Sequence, residues 1–115
     1  YTYLAQIERV IDGDTLLLQI QLLTGGFIRE RVRLRGIDTP ELGTPGGDSA
    51  KRFVEQTLSS HEWIAITSTK PDAYDRYLVD VFVPNAKDHG QQIVDRGRYL
   101  NQMLLDEGLA KRVDY

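Results

Sequence analysis

Two stretches near the start of the chain, 3 to 11 (YLAQIERVI) and 14 to 22 (DTLLLQIQL), are rich in large apolar and β-branched residues and are separated by Asp12-Gly13. That pattern of apolar runs bounded by turn formers predicts two strands and the turn between them. Thr24-Gly25-Gly26 supplies a second tight turn, leading into FIRERVRLRGI, so three antiparallel strands in succession are expected. Pro40 and the stretch GTPGG end the run, because proline lacks a ladder donor and glycines favour loop conformations.

Beyond that loop the period changes. Ala50, Phe53, Val54, Thr57 and Leu58 recur at helical spacing, which predicts an amphipathic helix of about three turns, capped by Asp48 or Ser49. Residues 62 to 69 (EWIAITST) and 77 to 83 (YLVDVFV) read as two more strands joined by the polar connection KPDAYDR. The stretch PNAKDHGQQIVDRGR has no clear period. A second helix follows, with Leu100, Met103 and Leu104 on one face and Gly108 placed to end it, and LAKRV is expected to form a last short strand. Five principal strands with a helix after the third is the order of an OB-type Greek-key barrel, a mainly β fold with helices. One domain over residues 1–115 is the expectation from length.

Composition narrows the chemistry. The 115 residues include no cysteine, which removes disulfides, thiolate zinc sites and cysteine nucleophiles together. No apolar run approaches the ~20 residues that span a bilayer, and no charged and then apolar leader opens the chain. The net charge of −3 argues against binding nucleic acid by blanket electrostatics, although distribution can overrule the sum. Arg29, Arg31, Arg33 and Arg35 alternate along one segment, and period two puts them on one face of a strand with Glu30, Val32 and Leu34 turned the other way. A solvated outer face accounts for most of such a stripe.

The acidic residues raise a different question. If the barrel brings 12 to 15 beside 38 to 41, then Asp14, Asp38 and Glu41 converge, and carboxylates without a cation between them raise one another's pKa. A hard divalent cation resolves that repulsion, and the backbone carbonyl of Thr39, held extended before Pro40, is a further oxygen donor. Taken singly, Asp12-Gly13 and Asp38-Thr39-Pro40 are ordinary turn sequences in which aspartates bond their own backbone. Arg33, just before the second acidic loop, and Arg76, at the start of a later strand, make the combination more specific. Paired guanidiniums beside an acidic site suit a phosphodiester, since arginine offers planar bidentate donors to phosphate oxygens.

The ordered motifs VIDGDT, RLRGIDTPE, AYDRYL and NQMLLDEGLAK resemble the staphylococcal nuclease (thermonuclease) family from near the N-terminus to about residue 112. The resemblance implies an OB-fold barrel and calcium-dependent hydrolysis of DNA and RNA. Carried over residue by residue, Asp14 and Asp38 match the family's calcium carboxylates and Thr39 its carbonyl ligand, for one Ca2+ ion. Arg33 and Arg76 match the phosphate-binding arginines, Glu41 the glutamate assigned as general base, and Tyr74 a tyrosine that contacts the nucleotide phosphate. The implied partners are DNA and RNA, single-stranded or frayed, with no membrane and a monomeric chain; secretion is suggested by the resemblance alone. Ala73 stands where the type member has a lysine and Asp75 where it has a glycine.

The expected mechanism is metal-assisted attack of water, with Arg33, Glu41 and Arg76 as the catalytic side chains and Arg33, Tyr74 and Arg76 as substrate contacts. The competing reading is a catalytically silent OB-fold module that binds nucleic acid or protein, whose mark would be the loss of one or more of Asp14, Arg33, Asp38, Glu41 and Arg76; all five are present. A calcium-stabilised structural domain is a third, but it has no use for the paired arginines. His61 and His89 are expected at the surface, and the single Trp63 in the core.

Overall fold

The computed structural model describes residues 2–59, 61–71, 77–84 and 97–113. Strands β1 (Thr2–Asp12), β2 (Thr15–Gln21) and β3 (Phe27–Leu34) form the expected antiparallel meander. The short β4 (Ile37–Asp38) follows, then helix α1 (Pro45–Leu58), β5 (Ile64–Pro71) and β6 (Tyr77–Val83). After these come β7 (Arg98–Tyr99), helix α2 (Leu100–Asp106) and β8 (Lys111–Arg112).

The main sheet runs β3-β2-β1-β5-β6-β7 and closes on itself because β6 also pairs with β3, in parallel, through Val32 with Tyr77, Arg33 with Leu78 and Leu34 with Val79. This is the closed five-stranded barrel with two helices of an OB-type α+β fold. Closure buries one residue in two along the strands: Leu16, Leu18 and Ile20 of β2, Val32 and Leu34 of β3, Ile64 and Ile66 of β5, and Val79 and Val81 of β6 all face the core. Leu100 and Leu104 of α2 plug the same core, and Asn101 holds that helix in place. Its buried amide donates to the carbonyls of Arg35 and Val79 and accepts from the amide of Val81, at 2.9, 3.2 and 3.1 Å.

Helix α1 departs from expectation at its start. Its cap is Thr44, whose hydroxyl accepts the Gly47 amide at 3.1 Å, and Pro45 opens the first turn. Asp48 lies inside the helix, where its carboxylate suits the positive end of the helix dipole and accepts from the Gly43 amide at 3.0 Å,. The glycines that look like loop signals are there for proximity: a Cβ on Gly47 would fall 2.0 Å from the Glu41 carbonyl oxygen. Gly47, Ala50, Val54 and Leu58 form the buried stripe. Trp63 is only partly buried and stacks on Phe27 with ring centroids 6.2 Å apart.

Candidate active site

Three segments meet at one end of the barrel. The β1–β2 turn carries Asp12, Gly13 and Asp14; the end of β3 carries Arg33; and the loop after β4 carries Asp38, Thr39 and Glu41. Register fixes the first two, because Thr15 is the partner of Arg33 and the Leu34 amide donates to the Asp14 carbonyl at 2.8 Å. Gly13 lets the third approach: a Cβ there would lie 2.7 Å from Ala50 Cβ and 3.0 Å from the Thr39 side chain. Any larger residue in the turn would push it away from both α1 and the acidic loop.

The centre of the arrangement is the Arg33 guanidinium. Its Nη2 lies 3.0 Å from Asp38 Oδ1 and 3.4 Å from Asp14 Oδ2. The Arg33 and Asp14 side chains are 9% and 6% exposed, whereas that of Asp38 is 50% exposed, so the group is sealed on one side and open on the other. Asp14 also accepts from the Thr15 hydroxyl at 3.1 Å and from the Thr39 backbone amide at 3.2 Å. The Thr39 backbone is therefore pinned against the first carboxylate.

Asp14 is nevertheless held above the ordinary carboxylate range. Burial is the main cause, followed by its hydrogen bond and charge repulsion with Asp12, which outweigh the Thr39 amide and Arg33. Asp12 moves the other way: burial pushes it up, but hydrogen bonds from Asp14 and Thr15 and the charge of Arg33 bring it below its usual value. Its Oδ1 accepts the Asp14 amide at 3.1 Å. Asp12 is thus a working member of the cluster, a role that the turn sequence D-G-D did not disclose. Two carboxylates this close favour sharing one proton, or one cation.

Glu41 sits on the same loop but not in the cluster. Its carbonyl accepts the Thr44 amide and hydroxyl, at 3.2 and 2.6 Å, which fixes the backbone against α1. Its carboxylate is exposed and makes no hydrogen bond or ion pair among the described residues. Tyr74 and Arg76, together with Ala73 and Asp75, lie outside the described residues; the next residue, Tyr77, is the register partner of Val32, beside Arg33. A cleft of about 240 Å³ lined by Asp38, Thr39, Pro40, Gly108, Leu109, Ala110 and Lys111 opens beside Asp38. His61 is partly buried and approaches Arg98 at 3.5 Å; His89 lies outside the described residues.

The sequence from residue 31 to 115 matches the family described as "Staphylococcal nuclease homologue". The chain belongs to the staphylococcal nuclease family. The match takes in Arg33, Asp38, Thr39 and Glu41. A micrococcal nuclease of Shigella flexneri is 30% identical over 105 residues, covering 91% of this chain and 55% of the relative. An uncharacterized protein of Methanocaldococcus jannaschii is 29% identical over 109 residues, covering 73% of this chain and 50% of the relative. The chain spans about half the length of these curated relatives.

As a staphylococcal nuclease family member, the chain has a donor set that can be tested against a divalent cation on its own chemistry. Two aspartates from distant parts of the sequence already share one positive nitrogen, and one of them is an anion that its surroundings disfavour. Among the described residues no cluster of three or more acidic or histidine side chains has metal-binding geometry. The donors present are oxygens of the kind that a hard divalent cation takes.

Proposed function

We propose that this chain is a calcium-dependent nuclease that hydrolyses phosphodiester bonds in DNA and RNA by attack of water. The observation that carries the reading is the meeting of Asp14 and Asp38 at a single nitrogen of Arg33, with Asp14 held above its usual range by burial and by Asp12. Family membership and the micrococcal nuclease relative support it.

In this reading Asp14, Asp38 and the Thr39 carbonyl hold the ion, which when bound supplies Lewis-acid stabilisation of the phosphate and an activated water. Arg33 turns from its carboxylates toward the phosphoryl oxygens and donates to the charge that builds there. Burial keeps that guanidinium from wandering and strengthens its interaction with the reacting group. By the family resemblance, Arg76 donates to the same phosphate and Tyr74 contacts it. Glu41, exposed and otherwise uncommitted, accepts the proton of the attacking water or orients it.

The test is cleavage of single-stranded DNA with calcium and with excess chelator, for wild type beside Glu41→Gln and Arg76→Ala. Cleavage should need calcium, and Glu41→Gln should lower kcat by about 10²–10⁴, the usual contribution of a general base. Cleavage that persists in chelator, or that ignores Glu41→Gln, contradicts the reading. One feature of the sequence favours a second reading, a silent binding module: Asp75 places a negative charge next to Arg76, and Ala73 removes a cation. Binding without cleavage by wild type would decide for that module.

A further inference from the structure

The side of β3 that carries Arg33 continues away from the site. Side chains alternate along a strand, so Arg33, Arg31, Arg29 and Phe27 follow one another on the outer side at about 6.7 Å intervals, while Val32 and Leu34 are buried. Across the sheet, Arg31 pairs with Leu17, and Leu17 pairs with Arg9 of β1. Arg9 and Arg31 are both exposed, and neither makes an ion pair among the described residues. One row further out, Arg29 pairs with Gln19, and Gln19 with Gln6. The Arg29 side chain is 62% exposed and bonds Glu8 through Nε at 2.8 Å, which leaves both Nη groups without a hydrogen bond among the described residues. An exposed pair of that kind is weak and orients the guanidinium more than it neutralises it.

The row ends on aromatic surface. Phe27 is 48% exposed and stacks on Trp63 at a 29° interplanar angle. The row runs from a buried arginine at one end to an exposed aromatic pair at the other. In a chain of net charge −3 this concentration of cations is local.

We propose that the outer face of β1, β2 and β3 is a track for single-stranded nucleic acid leading from the site: Arg31, Arg9 and Arg29 bind phosphates flanking the cleaved bond, and the Phe27–Trp63 pair stacks a base. The inference rests on the reading above that the substrate is a polynucleotide. The spacing of the arginines is roughly that of successive phosphates in an extended strand. Cations that follow the backbone, combined with aromatic platforms tolerant of any base, are the means by which barrels of this type hold single strands.

The experiment is anisotropy of a labelled oligothymidylate of about 12 nucleotides, within the span of one OB barrel, in excess chelator so that nothing is cut. The variants are Arg29→Gln/Arg31→Gln, and Arg52→Gln on the exposed side of α1 as a control of equal chemistry. The double variant should bind about tenfold more weakly and flatten the log–log salt slope by about 1.4, at ~0.7 per phosphate contact. The control should stay within about twofold of wild type, and the emission of the single Trp63 should change on binding,. Wild-type affinity in the double variant, an equal loss in Arg52→Gln, or no binding by wild type overturns the track. Binding in chelator by a wild type that fails to cut with calcium upholds the track and overturns the nuclease.

Discussion

Arg33 and Arg35 stand two residues apart on one strand end, and each meets aspartate, yet the two clusters are built to opposite balances. Arg35 donates to Asp80 through Nε at 3.2 Å and Nη2 at 3.1 Å, and the same carboxylate accepts the Tyr99 hydroxyl at 2.5 Å and the Thr67 hydroxyl at 3.2 Å. One cation meets one anion, and the remaining lone pairs of that anion are filled by neutral donors. Arg33 meets Asp14 and Asp38, with Asp12 behind Asp14. That cluster holds more negative charge than one guanidinium can offset. A balanced cluster stabilises the fold as it stands; an unbalanced one stores repulsion that a ligand can relieve.

The largest expected break in this comparison is catalytic. Arg33→Gln should lower kcat on single-stranded DNA by about 10²–10³, the usual effect of removing one transition-state donor. Arg35→Gln should change it by less than about threefold, since its partners are structural. Equal losses in the two variants would erase the distinction.

Next comes stability, where the two clusters should respond with opposite signs. Asp80→Asn removes the anion that Arg35, Tyr99 and Thr67 share, and should cost about 1–3 kcal/mol in denaturant unfolding. Asp14→Asn should raise the melting temperature of the calcium-free protein near neutral pH by a few degrees. The sign follows from linkage: a carboxyl held above its unfolded pKa costs stability once it ionises, and a neutral amide never does. Destabilisation by Asp14→Asn would mean that its hydrogen bonds outweigh the stored repulsion.

These signs bear on what could be read from the sequence. The first strands were legible because runs of large apolar and β-branched residues, 3 to 11 and 14 to 22, are bounded by turn formers,. The start of α1 was not, because Pro45-Gly46-Gly47 resembles a loop; only the Glu41 carbonyl packed against Gly47 explains glycine inside a first turn. Asp14, Asp38 and Arg33 were legible as a group through their motifs, and the structure brings them together. The part of Asp12 was not, since its coupling to Asp14 depends on burial that no turn sequence reveals. Asp80 was passed over for a related reason: a polar residue inside an apolar strand shows its partners only after the barrel closes.

The smallest expected effect sharpens the balanced side. The Tyr99 hydroxyl is pushed up to about 12, chiefly by burial and then by its hydrogen bond to Asp80. The unfolded chain ionises this tyrosine first, near pH 10. Its contribution to stability is therefore complete below that pH and is lost as pH rises toward 12,. The difference in stability between wild type and Tyr99→Phe should narrow across that window, and a difference that stays constant with pH would contradict the assignment.

The decisive property is whether the unbalanced cluster takes up a cation. Calorimetric titration of calcium into the chelator-treated protein near neutral pH, for wild type beside Asp38→Asn, asks this directly. One ion should bind per chain in wild type, with no measurable binding in the variant; an absence of heat in wild type, or equal binding in both, would rule out a cation site at this cluster.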